Sequence, residues 1–253
     1  MLAPMINVED VGDQGRIRLV TIDRPDRRNA LDHEALDGLQ AAVDGAVERV
    51  ASGATRVLVI AGEGGHFCAG ADLSGVEDPE FVAVLNRLLM TLRNAPLPTV
   101  AAIEGAALGA GTQLAVACDL RIAAADAAFG IPAAKLGLMV DSWTVHRIVA
   151  LAGQGPARAM LMAAQTYTGA QAFGFGLVQR QGDVDDGIAW AETLSTLAPL
   201  TIAGHKVGLN ECETIPPTSD EYREAFERAW ASEDLQEGLA AFRERRAAAF
   251  EGK

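Results

Sequence analysis

The 253-residue chain is poor in the groups that usually announce a chemistry. Aromatic residues make up only 5% of it, within an apolar fraction of 49%, so the core must be built from Ala, Val, Leu and Ile. Small side chains of this kind let elements pack closely. The three cysteines, Cys68, Cys118 and Cys212, are odd in number and without C-x-x-C spacing. That excludes a disulfide or zinc framework and fits reduced thiols in a cytoplasmic protein. His33, His66, His146 and His205 form no H-E-x-x-H pair, and no G-x-S-x-G is present, so metal hydrolysis and a serine-nucleophile elbow lack their motifs and no metal site is expected. Basic residues are also scarce. Twenty-one Lys and Arg stand against 34 Asp and Glu, giving a net charge of -13 and a pI near 4.7, which argues against a general nucleic-acid or anionic-membrane surface. An anionic ligand therefore needs a local basic cluster. Two are available, Arg24, Arg27 and Arg28 in R-P-D-R-R, and Arg243, Arg245 and Arg246 near the C-terminus; each is equally readable as solvated surface. The first ten residues carry two acids and no basic segment, so no signal peptide is read there and the cytoplasm is the expected location.

The length supports one domain with a helical appendage, divided here into a core over residues 1–195 and a helical region over 196–253. Alternation and β-branched residues predict strands over Arg16–Asp23, Thr55–Ala61, Val100–Ile103 and Asp119–Ala124, with a short extended piece at Phe129–Pro132. Helical spacing runs over Leu31–Val50 and Phe81–Asn94. Strand, glycine-rich loop and helix thus recur at roughly forty-residue intervals, the signature of a wound α/β repeat. From Ser142 onward helices dominate, over 154–164, 183–197, 201–212, 219–231 and 234–250, with Pro216-Pro217 as a break.

The most informative stretch is Val100–Cys118, V-A-A-I-E-G-A-A-L-G-A-G-T-Q-L-A-V-A-C. It reads as a buried strand, a glycine-containing loop over 105–109 and a helix opening at Gly111. Unpaired N–H groups at such a junction suit an oxygen that carries or develops negative charge. With Gly109, Ala110 and Gly111 almost no side chain stands in the way. A membrane span is excluded by Pro96, Pro98, Glu104 and Gln113, and a G-x-G-x-x-G dinucleotide site by Leu114 in place of the last glycine. The loop G-E-G-G-H-F-C-A-G-A-D-L-S after the second strand is a second open backbone.

Five segments in order, I-D-R-P-D-R-R-N-A-L (22–31), F-C-A-G-A-D-L (67–73), G-A-A-L-G-A-G (105–111), C-D-L-R-I-A (118–123) and E-G-L-A-A-F-x-E-R-R (237–246), resemble the crotonase, or enoyl-CoA hydratase/isomerase, superfamily over nearly the whole chain. The resemblance implies wound ββα repeats with a C-terminal α-helical trimerisation region, assembly as a homotrimer or a pair of trimers, and an acyl-CoA thioester as ligand. No separate cofactor is implied, because coenzyme A is part of the ligand. By position in the motifs, the backbone N–H groups of Ala71 and Ala110 would form an oxyanion hole for the thioester carbonyl, where one donor is typically worth about 10²–10³ in rate. Arg27, Arg28, Ala69, Gly70, Asp72 and Leu73 lie where the family holds the CoA nucleotide, and Gly109 completes the second turn.

The chain departs from that pattern at two positions. Where hydrating relatives carry two glutamates, it has Gln113 and Ala133. Hydration needs a base and an acid, each worth about 10²–10⁴, and neither glutamine nor alanine exchanges a proton near neutrality. Hydratase activity is therefore not expected, and the chain resembles an actinobacterial branch that lacks both glutamates. Asp141 sits where some relatives carry a working aspartate, and it equally reads as the N-cap of a helix starting at Ser142 or Trp143. Trp143 is expected either to line an acyl pocket or to fill the core. The reading is an acyl-CoA-binding protein; the alternatives are an isomerase, hydratase or thioester hydrolase using Asp141, and a non-catalytic scaffold.

Overall fold

The computed structural model describes residues 5–72, 79–213 and 217–253. Leu73 and Pro216, both singled out from sequence, lie outside them. Alternating residues of the central strands face two different cores. In β3 (Val57–Gly62), Leu58 and Ile60 pack into the larger apolar cluster, while Val57, Val59 and Ala61 pack into a second one. The same division separates Ala101 and Ile103 from Val100 and Ala102 in β4 (Thr99–Ile103). A strand buried on both faces reads as a continuous apolar run, as these do.

The main sheet follows the order β1-β2-β3-β4-β6-β9, with β1 (Ile6–Val11) antiparallel to β2 (Ile17–Ile22) and the remaining pairs parallel. Parallel neighbours need crossovers. Here α1 (His33–Glu48) leads from β2 to β3, α2 (Pro79–Asn94) from β3 to β4, and α3 (Ala110–Ala117) to β6 (Leu120–Ala123). A second sheet joins β5 (Ala106–Leu108), β7 (Ala128–Gly130) and β8 (Tyr167–Thr168). The wound strand-helix repeat expected from sequence is present, each later turn adding a short strand to the second sheet. The chain continues through α4 (Ser142–Ala152), α5 (Gln154–Met162), α6 (Gly169–Gly174), β9 (Arg180–Gln181), α7 (Val184–Ser195), α8 (Pro199–Cys212), α9 (Asp220–Trp230) and α10 (Glu233–Glu244).

Several expectations need correction. The stretch read as a loop over 105–109 contains β5, which pairs Ala106–Leu108 with Ala128–Gly130. Three residues are too few for alternation to register. The helical C-terminal third also supplies β8 and β9, two residues each, to the two sheets. Helix α10 ends at Glu244, not Phe250, because Arg245 turns left-handed (φ 54°) and sends Arg246 back onto Glu237. Of the apolar positions in 234–250, Leu235 and Leu239 are buried by Ala71, Leu138 and Trp230 of the same chain, while Phe242 and Phe250 are exposed.

Helix α3 is held by backbone contacts at one end and by two buried guanidinium groups at the other. Arg121, 1% exposed, donates to the carbonyls of Ala115 (3.2 Å) and Cys118 (2.8 Å), and Arg147 donates to that of Val116 (2.8 Å). Cations at a helix C-terminus meet its unpaired carbonyls and oppose its dipole. Burial pulls Arg121 down to about 10, still far above neutrality. At the other end, the Gly111 Cα faces the Cys68 carbonyl so closely that a methyl group would overlap it. Gly45 in α1 meets nothing within 4 Å. Alanine favours a helix over glycine by about 0.5–1 kcal/mol, whereas overpacking costs about 1–3. Gly45→Ala should therefore stabilise the protein by about 0.5–1 kcal/mol and Gly111→Ala should destabilise it, read as urea midpoints on the two variants. Equal stabilisation by both would mean that Cys68 and α3 are not in tight contact.

Candidate active site

Two backbone segments meet at the site. The first, residues 67–72, runs beside β5: Phe67 donates to Glu104 O and Cys68 to Ala106 O, both at 2.8 Å, and Leu108 donates back to Cys68 O at 3.0 Å. It is closed on its other side by Leu31, whose N–H bonds Gly70 O (2.8 Å) and whose carbonyl accepts from Asp72 (2.6 Å). In such a parallel bridge the middle residue, Ala71, turns its own N–H away from Leu31. The second segment is the N-terminus of α3, where Ala110 N–H precedes the first intrahelical bond. Among the described residues neither Ala71 N–H nor Ala110 N–H has an acceptor. Gly70 (φ 116°) and Gly109 (φ 54°) bring the segments together; a Cβ on Gly70 would lie 3.0 Å from Leu108 O and 3.8 Å from Ala110 N. Two free donors at adjoining turns can grip one oxygen.

The turn that carries Arg27 and Arg28 is fixed from below. Asn29, fully buried, donates to Glu63 O (2.9 Å) and His66 O (2.5 Å) and accepts from Arg24 N–H (2.8 Å). Arg24 bridges Asp32, the N-cap of α1, at 2.7 Å and Asp72 at 3.6 Å. Arg24 is therefore committed to structure, and Arg27 and Arg28 remain exposed.

A cavity of about 750 Å³ opens from the two donors. Every residue singled out from sequence as catalytic or substrate-binding lines it, except Leu73, which is not described, and Trp143. Trp143 packs in the main core, 9% exposed, with its indole N–H buried and without a partner among the described residues. The two basic clusters share this cavity: Arg27, Arg28 and Arg243, all exposed, are among its lining residues, while Arg246 is not among them and pairs with Glu237 and Glu244. The walls are apolar, from Phe81, Leu85, Ile131, Leu136 and Leu138, with Phe226 and Trp230 of α9 and Phe242 of α10.

Asp141 caps α4, accepting from Thr144 N–H (3.0 Å) on Oδ1, and its Oδ2 accepts from Thr144 Oγ1 (2.6 Å) and Gln113 Nε2 (3.1 Å). Gln113 Nε2 also donates to Thr144 Oγ1 at 2.8 Å. The carboxylate thus carries three protein donors and faces the cavity. Cys68 is no nucleophile, since burial pushes its thiol up to about 12. Sequence reasoning missed Thr144, although its place three residues after a capping aspartate is a visible signal. The helix over 219–231 was expected, but not its place at the site: the Tyr222 hydroxyl of α9 donates to Val140 O (2.6 Å) and Trp230 Nε1 donates to Met139 O (3.0 Å), fixing the wall beside Asp141.

The family model described as Enoyl-CoA hydratase/isomerase matches residues 12–253, and the chain belongs to that family. It is 40% identical over 240 residues to the probable enoyl-CoA hydratase echA6 of Mycobacterium leprae, covering 93% of this chain and 96% of the relative. It is 31% identical to the 2,3-dehydroadipyl-CoA hydratase of Escherichia coli, covering 96% and 98%. Among solved structures, an enoyl-CoA hydratase from Mycobacterium avium subsp. paratuberculosis superposes with a TM-score of 0.80 at 27% identity, covering 98% of each chain. A methylmalonyl-CoA decarboxylase in complex with 2-nitronate-propionyl-CoA superposes with a TM-score of 0.88 at 23% identity, covering 98% and 99%, a likeness of fold alone. No described helix is long and apolar enough to cross a membrane.

Burial, with the Asp141 charge adding to it, pushes the Tyr222 phenol up to about 12 from an ordinary 10. A group with a raised folded-state pKa stabilises fully below its unfolded value and loses that contribution as pH rises through the folded one. Docking of α9 should therefore hold below pH 10 and weaken between 10 and 12. Tyr167 and Tyr222 are the two tyrosines of the chain, so a spectrophotometric titration that resolves one phenol near 12, and loses it in Tyr222→Phe, checks this. A titration with no phenol near 12 would mean that Tyr222 is not held against Val140.

Proposed function

We propose that the chain binds fatty acyl-CoA thioesters, the carbonyl oxygen on Ala71 and Ala110 N–H and the acyl chain in the cavity, without hydrating them. The observation that carries this is the pair of N–H groups, without an acceptor among the described residues, at the head of a largely apolar cavity that has Gln113 and Ala133 in place of two glutamates. Arg27, Arg28 and Arg243 supply positive charge for phosphates on an otherwise acidic protein, and no separate cofactor is called for. Coenzyme A-processing relatives support the ligand class. Asp141, occupied by three donors, is a positioning group in this reading and not a base. The protein assembles as a trimer or a pair of trimers: α8 is pinned by the buried Lys206, which donates to Asp119 (2.8 Å), yet leaves Leu200 87% and Leu209 68% exposed.

Isothermal titration should give saturable binding of palmitoyl-CoA and much weaker binding of palmitate. Equal affinities would remove the CoA-dependent site, and light scattering of the same sample showing only monomer at micromolar concentration would remove the trimer. Restoring the acid-base pair is a second check. Gln113→Glu with Ala133→Glu should raise crotonyl-CoA hydration above the parent, while either change alone does little, because such groups act as a unit. The new carboxyl at 113 would face Asp141, so the pair would share a proton and one member's pKa would rise. A folded double variant with no gain would shift the explanation from the missing glutamates to pocket shape.

A further inference from the structure

Helix α3 begins without the usual fastening. Its N-cap is Gly109, which has no side chain to accept an N–H from the first turn. Helix starts of that kind fray unless something else holds them. Yet Ala110, the first helical residue, carries one of the two N–H groups at the head of the cavity. Its hold comes from beneath. The Thr112 side chain is fully buried and is not among the residues that line the cavity. Its Oγ1 lies 2.6 Å from Ala107 O on β5 and 2.9 Å from Gly130 O at the end of β7, and Gly130 N–H donates to it at 3.2 Å. A hydroxyl has one hydrogen to give. Whichever carbonyl takes it, α3 is tied to the end of a strand.

These bonds bracket Ala110. Gly109 N–H, one residue before it, donates to the same Gly130 carbonyl at 2.8 Å, and Gln113 N–H closes the turn on Gly109 O at 3.0 Å. The peptide of Ala110 is therefore held between two residues that share one partner, Gly130. Small displacements matter at such a place. A donor grips an oxygen at about 2.7–3.1 Å, and the bond weakens steeply as its angle opens. Apart from Gln113, the other residues of α3 are apolar or glycine, so nothing else in the helix can supply this fastening.

We propose that Thr112 is a positioning residue for the second donor. Its buried hydroxyl fixes the first turn of α3 on the ends of β5 and β7 and so sets where Ala110 N–H stands relative to Ala71 N–H. The inference rests on the reading that these two groups hold a thioester carbonyl; Thr112 touches no ligand and acts through the backbone alone.

The test is difference infrared spectroscopy of palmitoyl-CoA labelled with carbon-13 at the thioester carbonyl, with the ligand saturating each protein so that affinity drops out of the reading. Bound to the wild type, the carbonyl band should lie at lower frequency than in free palmitoyl-CoA, because two donors polarise it. In Thr112→Val, which keeps the shape and loses the hydroxyl, the band should return most of the way toward the free position, and Thr112→Ser should restore it. Titration should show palmitoyl-CoA binding to Thr112→Val about 2- to 10-fold more weakly, the net worth of one hydrogen bond, while free coenzyme A, which has no thioester carbonyl, binds as before. A band that is shifted in the wild type and unmoved in Thr112→Val overturns the proposal and leaves the thioester reading standing. Saturable binding with the wild-type band at the free position overturns the grip on the carbonyl itself, and with it both. Equal losses for palmitoyl-CoA and coenzyme A with an unmoved band reduce Thr112 to a packing residue. Should Thr112→Val not fold, Thr112→Ala and Thr112→Ser, which both lose the methyl group and differ in the hydroxyl alone, decide by the same band.

Discussion

The placement of α3 is the constraint on which the rest depends. This helix has only eight residues, too few to be stable alone, and Ala110 N–H at its N-terminus has no acceptor among the described residues. Its hold therefore comes from the other end and from its flank. Arg121 and Arg147 close the C-terminal carbonyls inside the core, and β5 and the Cys68 segment brace the entry. Burying two guanidinium groups is costly unless every donor finds an oxygen, and the Arg121 donors also reach Leu177 O (2.6 Å) and Gln179 Oε1 (3.1 Å). The region around β9 is thereby tied to the far side of the site.

What was legible in the sequence follows the length and regularity of each element. Central strands such as Val57–Gly62 and long helices such as α1 and α2 carry their period over enough residues to stand out. Strands β5, β8 and β9, two or three residues each, exist only because a neighbour pairs with them. The turns at Gly70 and Gly109 were legible because glycine there has a conformational cause. Their closeness to one another was not, since residues 70 and 109 meet only through the pairing of Cys68 with Ala107. The two arginine clusters were visible as clusters; that Arg27, Arg28 and Arg243 line one cavity required the fold. Trp143 shows the limit of reasoning by proximity, because its neighbour Asp141 faces the cavity while the indole packs into the core.

Gln113, Asp141 and Thr144 form one hydrogen-bonded group at the cavity wall. A glutamine offers the same reach as a glutamate but fixes its charge at zero and divides its ends into donor and acceptor. Asp141 does two things with one carboxylate, capping α4 and drawing the amide nitrogen of Gln113 towards itself.

The two donors at the head of the cavity belong to peptide bonds, as do the carbonyls that Arg121 and Arg147 engage at the opposite end of α3. No codon specifies a peptide N–H, so single-base substitution cannot delete one except by introducing proline. The two donors are thus nearly immune to point mutation, whereas Gln113, Ala133 and Asp141 beside them are each open to replacement by a single codon change. Side chains of this wall can change while the pair of N–H groups stays where the backbone sets it.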